Sequence, residues 1–294
     1  MNRVIRSIGV MSPGSMGQAI AQQLQGKGFA VYTALDGRSS RSRALAAEAG
    51  IADLGNLDTL AAQCDVILSI MNPGAAFAFA QQLAQSIRRA GTQPLVVDCN
   101  AIAPATMQAV HAAVTAAGAR CLDAGVFSAP PRDGVHGRLF VSGPDAAVLG
   151  ALATPGLSVR VLNDRIGAAS ALKMCDAVIS KGVTALVLQM LIAAQRHGVA
   201  AELEEQLTPA RRRVHDAVID ALPIMPPKAA RWVPEVVEIA RMLEAAGMSP
   251  KMIEGAADVY EFVAGTALGR ETPESRDRSL DGRAVVKALA GEPW

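Results

Sequence analysis

Two groups of residues have types and spacing that can do chemistry. Near the start of the chain, Ser12-Pro13-Gly14-Ser15-Met16-Gly17 follows an apolar run and precedes a helical pattern. A glycine-rich turn between a strand and a helix aims backbone N–H groups and the positive end of the helix dipole at an anion. The second group is built on scarcity. Lysine occurs only at Lys27, Lys173, Lys181, Lys228, Lys251 and Lys287, and Lys173 and Lys181 lie in a long apolar helical stretch. Desolvation penalises an ammonium, so a partly buried lysine becomes a usable acid or base near neutrality.

The turn matches a dinucleotide fingerprint in which Ser12 takes the first glycine's place, while Gly14 and Gly17 take the second and third. Gly14 then admits a pyrophosphate to the backbone, the amides of Ser15 and Met16 bind it, and Gly17 lets helix and strand pack closely. Cofactor choice rests on the residues after the second strand, Leu35-Asp36-Gly37-Arg38-Ser39-Ser40-Arg41-Ser42-Arg43. Guanidinium forks interleaved with hydroxyls suit a 2'-phosphate, so Arg38, Ser39 and Arg41 predict NADP. Asp36 is the contrary sign and keeps NAD open, and a solvated helix start is the plain alternative for the arginines.

The elements that must position these residues are legible as alternation. Strands are predicted over Val4–Met11, Ala30–Leu35, Val66–Met71, Leu95–Asp98, Arg120–Val126, Arg138–Val141 and Val159–Leu162. Helices are predicted between them over Ser15–Gln25, Ser40–Ala49, Ala75–Arg89 and Pro104–Ala117. That order predicts an α/β fold, an N-terminal Rossmann doubly wound parallel sheet, over residues 1–164. From 165 to 294 strand signals stop and an all-α domain is expected, with helices over Ala168–His197, Ala201–Leu222, Pro227–Ala246, Pro250–Gly265 and Arg283–Leu289. Gly182–Ala194, the longest apolar run, is shorter than the roughly 20 residues of a membrane span and predicts a buried helix.

Composition narrows the function classes. The 294 residues are 51% hydrophobic and 19% charged with a formal net charge of +1, so no basic face for nucleic acid is expected. Cys64, Cys99, Cys121 and Cys175 have no CxxC spacing and read as reduced thiols. With no signal-peptide core at the N-terminus and no membrane partner expected, they predict a cytoplasmic protein. His111, His136, His197 and His215 are too dispersed for a local metal motif.

The order of motifs resembles the β-hydroxyacid dehydrogenases, the family of 3-hydroxyisobutyrate, tartronate semialdehyde and 6-phosphogluconate dehydrogenases. The resemblance is carried by the Ile8–Gly17 turn, Ile67–Pro73, Val97–Pro104, the Asp123-Ala124-Gly125-Val126 segment, and Gly167 with Lys173 in a G-x-x-x-x-x-K spacing. Finer wording, including Pro130-Pro131 and Arg231-Trp232 with Glu235, is similar to a branch with a phosphogluconate-dehydrogenase-like C-terminal domain. The resemblance implies hydride transfer between a nicotinamide and a small hydroxy acid or alcohol, or its oxo counterpart, with Lys173 as general acid and base. It implies that Met71, Asn72 and Asn100 flank the cofactor, although Asn72-Pro73 also reads as a turn initiator and Asn100 as a cap.

Two departures from the family pattern bear on the substrate. Ala177 stands where the family usually has Asn, leaving Asp176 as the polar neighbour of Lys173, and Phe127-Ser128-Ala129 replaces Ser-Gly-Gly. Ser128 is the candidate hydroxyl for a substrate carboxylate. Phe127 and Trp232 are candidate pocket walls, with core packing as their other reading. Imine reduction is the rival chemistry, although that family commonly has Asp or Tyr at the place of Lys173. NADP binding without turnover is the rival of another class. The apolar helix from Ala168 predicts a homodimer with pockets near its interface.

Overall fold

The computed structural model describes residues 4–131 and 134–294. The chain forms two compact units, Met1–Met174 and Cys175–Trp294. The expected division at 164/165 thus moves into a helix, because the first turns of that helix pack against the sheet.

In the first unit, β1 (Ser7–Met11), α1 (Ser15–Gly26), β2 (Ala30–Thr33), α2 (Ser40–Glu48), β3 (Ala52–Asp53), α3 (Leu57–Gln63), β4 (Val66–Ser69), α4 (Ala76–Ala90), β5 (Leu95–Asp98), α5 (Pro104–Thr115), β6 (Arg120–Phe127), β7 (Gly137–Ser142) and β8 (Leu157–Val161) follow in order. They build one sheet of order β3-β2-β1-β4-β5-β6-β7-β8. Both faces are covered, so side chains from successive strand residues enter two cores. Val66, Leu68 and Val97 join Ile20 and Leu24 of α1 on one face. Ile67 and Val96 join Leu60, Phe79, Leu83, Met107 and Val110 of α3, α4 and α5 on the other. Burying apolar side chains on both faces is what favours this parallel arrangement.

Three expectations are corrected in these elements. The sequence pattern predicts neither β3 nor α3: β3 is two exposed residues, and α3 is a short helix whose N-cap, Asn56, accepts from the Thr59 amide. The sheet is not wholly parallel, since β7 runs antiparallel to β6. Among the described residues no helix intervenes between Phe127 and Gly137, and a parallel pairing needs a crossover of about a dozen residues or more.

The helices continue with α6 (Ala168–His197), α7 (Ala200–Glu205), α8 (Pro209–Ala221), α9 (Ala229–Ala245), α10 (Lys251–Gly265) and α11 (Gly282–Ala290). The single helix expected over Ala201–Leu222 is two. Pro209 opens α8 and lacks an N–H, while the preceding Thr208 is extended at φ −63° and ψ 159°. Pro226–Lys228 forms a 3-10 turn, so α9 begins two residues later than expected.

The expectation of a buried helix at Gly182–Ala194 holds in part. Leu188 and Ile192 are buried, but Leu186 is 67% exposed, as is Ile179 at 69%. By length and composition α6 is also long and apolar enough to cross a membrane.

Candidate functional site: a dinucleotide turn and a buried polar row

The ends of the central strands lie in one register. Met11 pairs with Ser69, Ser69 with Asp98, Asp98 with Asp123, and Asp123 with Ser142, a row that crosses β1, β4, β5, β6 and β7. Ser69, Asp98, Asp123 and Ser142 are all buried. In an open α/β sheet this carboxyl edge is where ligands bind.

Asp123 anchors the start of α6. Its Oδ2 accepts from the backbone amides of Gly167, Ala169 and Ser170 at 2.9, 2.9 and 3.1 Å and from the Ser142 hydroxyl at 2.9 Å. Its Oδ1 accepts from the Ser170 hydroxyl at 2.6 Å. A carboxylate at a helix N-terminus satisfies amides that lack intrahelical partners and meets the favourable end of the dipole. Gly125, two residues on, brings β6 and α6 together, because a Cβ there would lie 3.1 Å from the Ala169 carbonyl and the Lys173 Cβ. Lys173, on the second turn of α6, holds its ammonium 5.0 Å from the centre of the Phe127 ring.

Asp98 is tied differently. The Asn100 backbone amide donates to its Oδ1 at 3.0 Å and the Asn100 side-chain amide donates to its Oδ2 at 2.9 Å. Burial pushes the Asp98 carboxyl up to about 7; hydrogen bonds from Asn100 pull the other way, and neighbouring Asp123 adds to the rise. Asn100 also donates to the Ser69 hydroxyl at 2.8 Å and accepts from the Met71 amide at 2.6 Å. Its side chain therefore joins the ends of β4 and β5 and orients Met71, a positioning role beside the cofactor contact expected of it. Asn72 accepts from the Gly74 amide at 3.0 Å, the turn-initiating arrangement.

The glycine-rich turn has the shape that its sequence requires. A Cβ on Gly17 would be driven into the Ser12 carbonyl oxygen, so only glycine lets α1 start this close to β1. Gly14 faces the opposite condition, with nothing within 4 Å of an added Cβ, which leaves open space against the backbone. The N-cap residue of α1 is Gly14, which makes no side-chain cap hydrogen bond. An open approach to the start of a helix fits a pyrophosphate.

Beyond β2, the Arg38 guanidinium donates to the Ser12 hydroxyl at 2.5 Å, so the residue in the first glycine's place is joined to the expected phosphate clamp. Arg38 is half-buried, which lowers its pKa, and among the described residues its buried Nε has no partner. Ser39 caps α2 by accepting from the Ser42 amide, and Arg43 donates to the Leu35 carbonyl at 2.6 Å. Arg41, on the first turn of α2, also makes interactions of its own. Asp36 and Arg38 are among the residues that line a cleft of about 390 Å³, with Ala34, Asn56 and Phe79. That volume is in the range of small-molecule pockets.

The remaining candidates separate. Ser128 follows β6, and its buried hydroxyl has no hydrogen-bond partner among the described residues. Phe127 is buried and packs edge-on against Phe140 with ring centres 5.0 Å apart. Asp176 and Trp232 belong to the second unit. There Trp232 meets Tyr260 edge-on at 5.1 Å, and the Lys181 ammonium lies 4.2 Å from its ring centre.

Sequence reasoning assigned no role to Asp98 or Asp123. The available signal was a carboxylate inside otherwise apolar strand runs, since a buried charge requires partners. All four cysteines are free; burial pushes the Cys64 thiol up to about 12 and raises Cys99 and Cys121. Among the described residues no cluster of His, Cys, Asp and Glu could hold a metal.

A doubly wound sheet with a glycine-rich turn at its first strand defines an NAD-binding Rossmann protein. Residues 7–153 match the family described as the NAD binding domain of 6-phosphogluconate dehydrogenase, and residues 194–263 match a domain of unknown function, DUF1932. The chain belongs to the β-hydroxyacid dehydrogenase family. A conserved protein of unknown function, described as structurally similar to 3-hydroxyacid dehydrogenases, is 26% identical at a TM-score of 0.61, covering 88% of this chain and 96% of its own. The Mycobacterium tuberculosis 3-hydroxyisobutyrate dehydrogenase shares the fold at 18% identity and a TM-score of 0.65, covering 97% and 99%. An imine reductase of Streptomyces aurantiacus shares it at 18% identity and a TM-score of 0.52, covering 92% and 98%.

Two outcomes test this geometry. Asp123→Asn puts an amide N–H₂ where a carboxylate accepts buried donors, and urea unfolding should show a loss of at least about 2 kcal/mol. For Asp98, a carboxyl raised in the fold stabilises below its unfolded value of about 4, and that contribution is lost as pH rises through about 7. The stability of the wild type minus that of Asp98→Asn should shrink between about pH 5 and pH 8 in denaturant titrations. A constant or growing difference contradicts the assignment.

Proposed function

We propose that the chain is an NADP-dependent oxidoreductase that interconverts a small hydroxy acid or alcohol and its oxo counterpart, with Lys173 as general acid and base. The observation that carries the reading is the seating of Lys173 on a helix turn anchored by Asp123, its ammonium 5.0 Å from the Phe127 ring centre. A bound nicotinamide supplies or receives the hydride. The chain's own residues do the rest. The neutral amine of Lys173 removes the substrate hydroxyl proton in oxidation, and the ammonium returns it in reduction. Phe127 forms an apolar wall, and the unpartnered Ser128 hydroxyl offers a hydrogen bond to a substrate carboxylate or carbonyl. Asp176 and Trp232 are the further substrate contacts in this reading.

Ser12 through Gly17 cradle the pyrophosphate, and Met71 and Asn72 flank the cofactor with Asn100 positioning them. Arg38, with Ser39 and Arg41, selects the 2'-phosphate; its orphaned Nε supports NADP over NAD. Imine reduction remains the second chemistry, favoured by the shared fold and opposed by the lysine at position 173. The free cysteines accord with a cytoplasmic setting, and exposed Ile179 and Leu186 support a homodimer.

Lys173→Met should lower turnover by about 10²- to 10⁴-fold while NADPH binding, followed by fluorescence, stays unchanged. Unchanged turnover, or activity on cyclic imines alone, overturns the lysine role, and a clear preference for NADH overturns the clamp. In solution, light scattering should give twice the 30.5 kDa chain mass at micromolar concentration; a monomer contradicts the dimer.

A further inference from the structure

Strand β6 meets helix α6 through Asp123, Gly125 and Phe127, and the last of these serves the hydride-transfer reading only as a wall. Side chains at two-residue spacing share one face of a sheet. Asp123 receives the backbone amides of Gly167, Ala169 and Ser170. Gly125 leaves the gap into which the Lys173 stem fits, since an added Cβ would lie 3.1 Å from the Lys173 Cβ and 3.0 Å from Cε2 of the Phe127 ring. The glycine thus brings ring and stem to one point. Phe127, the last residue of β6, carries the Lys173 ammonium 5.0 Å from its ring centre.

The ring is itself held. Phe140 pairs with Gly125 across β6 and β7, so it shares that face, and it meets Phe127 edge-on with 72° between the ring planes. Such a pair fixes the planes of both rings. A second cation, the Arg160 guanidinium, lies 6.0 Å from the Phe140 ring centre, but Arg160 is exposed and at the limit of a useful attraction. Lys173 is nearer, and the buried Phe127 ring leaves water less able to compete for its ammonium. Core packing accounts for the contact with Phe140. It does not account for an ammonium within reach of the ring.

We propose that Phe127 is a positioning residue for Lys173: its electron-rich ring holds the ammonium in place for proton transfer. A lysine stem is flexible, and a charge left to wander along it spends little time at the reacting atoms. An aliphatic wall of similar size attracts no cation. The proposal rests on Lys173 being the general acid and base, and it adds the group that keeps the base where it acts.

The contact can be read without a substrate. Protein labelled with heavy carbon at the lysine ε-position gives six lysine signals, and the one missing from Lys173→Met belongs to Lys173. In the parent the ring current should displace that signal upfield, and Phe127→Leu should abolish the displacement. Lys181, over Trp232, is the internal control that variants at position 127 leave unchanged. Phe127→Tyr keeps the electron-rich face and should keep the displacement. Pentafluorophenylalanine at position 127 keeps the shape but reverses the charge of the face, and should lose it, which guards against a leucine variant that folds poorly. In NADPH-dependent turnover of whichever aldehyde or oxo acid the parent reduces fastest, the leucine and pentafluoro proteins should lose about fivefold or more in kcat. Their KM should change less than about twofold, and Phe127→Tyr should stay near the parent. A Lys173 signal that is not displaced in the parent, or that stays displaced in the leucine or pentafluoro protein, overturns the proposal. So does a pentafluoro protein with the parent's kcat. Parental turnover in Lys173→Met overturns the acid and base reading instead, while the displaced signal still reports where the ammonium lies.

Discussion

The Asp123 carboxylate is the contact on which the candidate site depends. It lies within the sheet and accepts three amides and a hydroxyl from the first turns of α6, together with the hydroxyl of Ser142 on β7. Strand β6 and the start of α6 are joined at one buried carboxyl, which sets where the first turn of the helix lies against the strand. Gly125 then allows the close approach that the anchored helix requires. These constraints set the place of Lys173 on the second turn of α6.

The neighbouring Asp98 shows the cost of such a row. Two carboxyls face each other in register on adjacent strands, both out of water. One is surrounded by helix amides and hydroxyls. The other has the Asn100 amides and an elevated affinity for its proton. Asn100 in turn orients the Met71 amide, so the same polar network that holds β4 to β5 shapes the loop after β4. The row thus holds two hydrogen-bonded groups side by side, Ser69 with Asn100 and Asp98, and Asp123 with Ser142 and Ser170.

Much of this was legible beforehand. The glycine-rich turn announced itself by position, and α6 was bounded correctly because its apolar pattern ends at Gly198, which adopts a positive φ of 69°. Short elements were not legible. Ala52–Asp53 carries no strand pattern, and Leu57–Gln63 is too brief to develop helical periodicity, although Asn56 and Asp58 were cap signals. The break before Pro209 was also written in the sequence, since a proline opens a helix and keeps the residue before it extended.

Local chemistry therefore determined the class of fold, the phosphate-binding turn and the scarcity that drew attention to Lys173, since all three depend on residues close together in the chain. Pairing across distance was decided only by tertiary structure. Nothing in the sequence says that Arg38 reaches the Ser12 hydroxyl, that Asp123 receives the start of α6, or that Lys181 lies over Trp232 beside Glu235. Those contacts join residues separated by tens of positions, and a hydrogen bond or ion pair exists only once packing has brought its two ends within about 3 to 4 Å.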